Sequence, residues 1–163
     1  MEEEQKRKHG RRTAIICLIL ACAAVAAIAW GLWAGGGRPP LDENAVPYQM
    51  PDGQVNADPQ QFAFPVFDTL HMEGGTGKVR ASFLNMEGNP GYFIYHVILS
   101  GTGEEIYQSG LIEPGKAVKE FTAEKDLEPG RYEIQIEIET RQLDDHTVPM
   151  NSGVITAVLE VAE

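Results

Sequence analysis

The second half of the chain is written with a period of two. Tyr132, Ile134, Ile136 and Ile138 alternate with Glu133, Gln135, Glu137 and Glu139. In an extended strand successive side chains point to opposite faces, so this spacing predicts a strand with one buried and one wet face. Val79, Ala81 and Phe83 repeat the pattern, as do Ile155, Ala157, Leu159 and Val161. Phe62, Phe64 and Val66 also alternate, but Pro65 interrupts them and predicts an edge or bulged strand. Tyr92–Leu99 is apolar on both faces, as a central strand requires. Glu105–Gln108 follows a Gly-Thr-Gly turn and predicts a hairpin, and Val118–Phe121 adds a short strand. No helical period competes. The expectation for residues 60–163 is all-β: an antiparallel sandwich of about seven strands.

One local motif sharpens that fold. Leu127, Pro129, Gly130 and Tyr132 resemble the tyrosine corner of immunoglobulin-like and fibronectin type III-like sandwiches. There a tyrosine near the start of the penultimate strand sends its hydroxyl back to upstream backbone. Tyr132 is therefore expected to be structural, with its ring at the edge of the core. A longer run, "NPGYFIYHVIL…EIYQSGLIEPGKAV…LEPGRYEIQI", resembles small single-pass membrane-anchored proteins of Gram-positive bacteria, whose function is uncharacterised. The matching positions are Asn89, Pro90, Tyr92, Phe93, Tyr107, Ser109, Gly110, Pro114, Gly115, Gly130 and Tyr132. The resemblance implies a fold and an anchored layout, and brings no catalytic residues with it.

The first third follows another pattern. Thr13 to Ala34 is 22 residues without a charge. A helix of that length spans about 33 Å, enough to cross a hydrocarbon core. Trp30 and Trp33 lie near its C-terminal end, where amphipathic rings favour the headgroup level. Lys6, Arg7, Lys8, Arg11 and Arg12 precede it and Arg38 follows, which predicts a cytoplasmic tail over 1–12 and an extracytoplasmic C-terminal domain. The expectation is an uncleaved anchor and a cell-membrane location. Two processing signals compete: "ILAC" resembles a lipobox that would lipidate Cys22, and "AIA" at 27–29 fits a cleavage site. Ala23, Ala27, Gly31 and Gly35 recur every fourth position, a face on which two helices approach closely and a route to a homodimer. Eight of the 22 residues are Ala, so chance produces the same spacing. Residues 35–59, rich in Gly and Pro, read as a spacer.

Charge excludes some functions. From Arg38 onward there are eight basic and twenty-one acidic residues. Nucleic acid is not expected, because neutralising phosphates needs clustered Lys and Arg. The two cysteines, Cys17 and Cys22, both fall within the apolar span, so residues 35–163 have neither a disulfide framework nor a thiol nucleophile. "GGTGKV" at 74–79 lacks the first Gly and the final Ser/Thr of a phosphate loop, and reads as a turn between strands. Asp144, Asp145 and His146 sit together, but neither His71 nor His96 has a spacing that would complete a metal set. No cofactor or metal is expected, and no nucleophile, base and oxyanion donor can be nominated together.

The function that follows is a membrane-tethered extracytoplasmic interaction module. It presents an acidic sandwich, with Glu133, Glu137 and Glu139 on one face, to an unknown extracytoplasmic protein. A solvated face is the plainer account of those charges. The alternatives are a structural spacer that dimerises within an envelope or secretion assembly, and a loop-based enzyme inhibitor using a projection such as Gly101–Glu105.

Overall fold

The computed structural model describes residues 39–163. The expected tail, membrane span, small-residue face (Ala23, Ala27, Gly31, Gly35) and lipidation candidate Cys22 lie outside the described residues. Among the described residues no helix is long and apolar enough to cross a membrane.

Among the described residues eight strands form: β1 (Val46–Pro47), β2 (Thr69–Met72), β3 (Lys78–Asn85), β4 (Gly91–Leu99), β5 (Glu104–Gln108), β6 (Lys116–Thr122), β7 (Gly130–Gln142) and β8 (Gly153–Val161). They join in one sheet of order β1-β6-β3-β2-β8-β7-β4-β5. The sheet is mixed rather than wholly antiparallel, because β2 runs parallel to β8 through Thr69↔Val158 to Met72↔Val161. That pair is the fold line. On one side lie β1, β6, β3 and β2; on the other β8, β7, β4 and β5. The two halves face each other as a sandwich.

Aromatic rings weld the halves. Phe83 on β3 stacks on Tyr95 of β4 at 4.5 Å between centroids, and Tyr107 on β5 stacks on Phe121 of β6 at 4.0 Å. Offset stacks of this kind add directional preference to simple burial. At the far end the Glu124 N–H donates to the Ile106 carbonyl at 2.8 Å, drawing β6 towards β5. Ile134, Ile136 and Ile138 of β7 are fully buried against this core, while Glu133 and Gln135 are exposed.

The strand reading differs from the structure in three places. Residues 62–66 are not a strand. Pro65 lacks an N–H, and the Asn89 side chain takes the place of a neighbouring strand by bonding both the N–H (2.9 Å) and the C=O (3.1 Å) of Ala63. Phe62 and Phe64 still pack on Phe93 at 5.7 and 5.3 Å. The first strand of the core is instead β2, only four residues long, with Leu70 and Met72 turned inward. Finally, the segment read as spacer lies along the sandwich from residue 41. Leu41 bridges Leu111, Val46 and Pro47 pair with Ala117 and Lys116, and the Tyr48 N–H donates to Gly115 O at 2.9 Å.

Asparagines tie this strap to the body. Buried Asn85 donates through Nδ2 to Gly91 O and Ile112 O, both at 2.8 Å, and accepts from Asn89 Nδ2 at 2.9 Å. Asn56 Nδ2 donates to Asn89 Oδ1 at 2.8 Å. A buried network this fully paired is stabilising, because each amide replaces a hydrogen bond to water. Gly88 has a φ of +87°, and a Cβ there would meet Asn56 O at 2.3 Å, so the turn beside the network requires glycine.

Candidate functional site

The β6–β7 corner comes first. Leu127 packs against the core, and Tyr132 follows three residues into β7 with its ring half-buried there. The Tyr132 hydroxyl donates to Glu128 O at 2.9 Å. Pro129 and Gly130 form the turn between donor and acceptor. This bond closes the corner, and its polar end remains in reach of water.

The outer face of β5-β4-β7-β8 is built by register. Across β4 and β7, Ile94 faces Glu139, His96 faces Glu137 and Ile98 faces Gln135. His96 is held from two sides: Nδ1 lies 2.6 Å from Glu105 on β5, and Nε2 lies 3.7 Å from Glu139 on β7. Arg141 pairs with Glu139. At the other end His71, Glu160 and Arg131 form an exposed row across β2, β8 and β7, with contacts of 3.4 and 3.1 Å. The face is thus a shallow apolar seam of Ile94 and Ile98 bordered by carboxylates.

The three histidines of residues 39–163 lie on separate elements: His71 on β2, His96 on β4 and His146 in the β7–β8 loop. Asp145 accepts from the Thr147 hydroxyl at 2.6 Å and from its N–H at 3.0 Å. Those two bonds, the side-chain one foremost, lower its pKa, so "DDHT" forms a capped turn. Among the described residues no three His, Cys, Asp or Glu side chains converge as a metal set. "GGTGKV" is the hairpin between β2 and β3, with Gly75 and Gly77 at φ +70° and +68°.

A feature absent from the sequence reading lies on the outer face of the other half. A groove of 690 Å³ opens between the strap at Tyr48 and Met50 and the segment Pro65–Phe67, floored by Ala81 and Leu84. A recess of 150 Å³ continues it under the strap. Val66 on its wall is 90% exposed, the most open large aliphatic among the described residues. Arg80 and Lys119 also line it, with Asp68 and Glu120. The only hint in the sequence was the apolar run "AVPYQM" inside a segment otherwise typical of a linker.

No protein-family profile matches the chain, and no curated protein does. Among solved structures, the chain is similar to the crystal structure of CopC from Methylosinus trichosporium OB3b. The identity is 15%, over 61% of this chain and 88% of that one, with a TM-score of 0.35.

Proposed function

We propose that this chain is a membrane-tethered, extracytoplasmic interaction module that offers the outer face of β4 and β7 to a basic protein partner, without catalysis. Support for the tether is in the sequence: 22 uncharged residues after five Lys and Arg. Support for an immunoglobulin-like sandwich is the Tyr132–Glu128 bond at the β6–β7 corner. The observation that carries the docking surface is the register of Glu137 and Glu139 beside half-buried His96, Ile94 and Ile98. A seam of that kind combines removable apolar area with complementary charge, which sets on-rate and partner choice.

The test is crosslinking of the full chain in native membranes, comparing wild type with Glu133→Gln/Glu137→Gln/Glu139→Gln. The expected result is loss of a specific basic neighbour in the variant, and weaker wild-type capture as salt rises. Recovery of the same neighbours from both, at every salt concentration, defeats the reading.

A further inference from the structure

The groove on the β3 side is independent of that acidic face, and two observations define what fits it. The first is an incomplete ladder. β2 pairs with β3 only at His71↔Arg80 and Met72↔Val79, yet stays with β8 back to Thr69. β2 and β3 therefore part beyond Arg80. On the other flank the β3–β6 ladder carries a bulge, with Ala81 and Ser82 together opposite Lys119, so the edge left without a partner strand at these residues is the one towards β2. The wall facing them across the wedge contains Pro65, which has no N–H to offer. Phe67 closes the bottom of the wedge, its ring edge-on to Phe83 at 5.4 Å. What remains is a recessed strand edge, open to one added strand and too sheltered for sheet-on-sheet aggregation.

The second observation is charge. Residues 39–163 contain seven basic side chains. Five of them, Lys78, Lys116, Lys125, Arg131 and Arg141, are in ion pairs. Among the described residues the two without an acidic partner are Arg80 and Lys119, and both line this groove. Lys119 rests over the neutral ring of Tyr48 at 5.5 Å. Of the two acids at the rim, Glu120 is matched by Lys78 at 3.9 Å. In a strongly acidic domain this is where unspent positive charge collects.

We infer that the groove accepts an extended acidic segment of a partner protein, added as a strand beside Ala81–Ser82, with carboxylates on Arg80 and Lys119 and an apolar side chain against Val66 and Phe67. Main-chain pairing gives such a site its affinity and the flanking side chains its preference. A second copy of this chain is disfavoured as the occupant, since both bodies carry the same large negative charge.

The probe is a random twelve-residue peptide library displayed on phage, panned against the full chain in detergent micelles. Selected peptides are expected to be rich in Asp and Glu alternating with β-branched residues. They should bind Arg80→Gln/Lys119→Gln about tenfold or more weakly, as expected when a charge-assisted contact is lost. Their binding should slow hydrogen exchange at the Ser82 amide. Both substituted side chains are exposed, so an unchanged melting curve certifies the variant. Basic or uncharged selections, equal binding to wild type and variant, an unprotected Ser82 amide, self-association through this edge, or no selection at all each overturn the inference.

Discussion

The two halves of the sandwich are built by different means. β4 and β7 pair through nine consecutive positions, and β7 and β8 through nine more, without a register break. In the other half β2 has four residues and β1 has two, and β3 meets β6 with a break in mid-sheet, whereas the first half has one only at its edge, between β4 and β5. In the less regular half a side-chain amide stands in for ladder bonds, Asn89 holding Ala63, while Asn85 reaches from β3 across to Gly91 of β4 and to Ile112. A ladder repeats, so its outer surface is flat. Individual side-chain bonds do not repeat, so the surface they support has a wedge in it. Regularity secures the body, and its local failure produces the concavity.

The two halves depend on each other most at the aromatic seam. Phe83 stacks on Tyr95 and Phe121 and lies within 5.9 Å of the Tyr107 ring centroid. Phe83→Ala should cost about 3–5 kcal/mol, whereas Ile136→Val in the regular half should cost about 1 kcal/mol. Chemical denaturation measures both, and equal losses would mean that the ragged half does not depend on this ring.

Asn85→Ala is the next largest. It removes both amide donations, leaving the Ile112 carbonyl only the Phe93 N–H, and should cost about 2 kcal/mol, with hydrogen exchange quickening first around Gly91 and Ile112. Uniform quickening across β7 and β8 instead would show that the network supports the whole body rather than the junction of β3 with the start of β4.

Alkali should act through the seam. Burial raises the pKa of Tyr95 well above 10.0, and its hydroxyl donates to Leu84 O at 2.6 Å. Burial, then the charge of Asp42, raises that of Tyr107. Each group is neutral when folded but ionises near its ordinary value when unfolded. The stability they contribute is therefore whole below about pH 10 and falls above it, by up to about 1.4 kcal/mol per pH unit for buried Tyr95 and by less for Tyr107, which solvent partly screens. Tyr95→Phe should shallow that fall in urea titrations run above pH 10; an identical slope counts against the assignment.

The smallest effect belongs to the corner. Tyr132→Phe removes a bond whose acceptor is reachable by water, so the loss should be about 0.5–1.5 kcal/mol. A loss several times larger in thermal melts would mean the hydroxyl anchors more than the β6–β7 connection.

Legibility followed periodicity rather than the division into halves. β7, β8 and β3 stand in the sequence because alternation writes them directly, β4 because it is apolar on both faces, and β5 and β6 as short runs. The Tyr132 hydroxyl and its acceptor, Glu128 O, are four residues apart, a span within reach of local pattern. The wedge could not be read, since it depends on Asn89 satisfying Ala63 from 26 residues away. Nor could the strap, whose Pro and Gly content is that of a linker while its partners Gly110, Leu111 and Gly115 lie some seventy residues downstream. Local pattern reports periodic elements; bonds between distant loops leave no period to detect.

That strap also decides where the protein can be cut. Asp42 Oδ2 accepts from the Gly110 N–H at 2.8 Å, and a Cβ at Gly110 would meet Asp42 at the same distance, so the two backbones are in close contact. A fragment trimmed to residue 60 discards this contact, β1 and Asn56 together. It would bare the apolar underside at Leu84 and Met86 and lose one bank of the groove. The smallest piece fit for crystallisation or binding work therefore starts no later than Pro39.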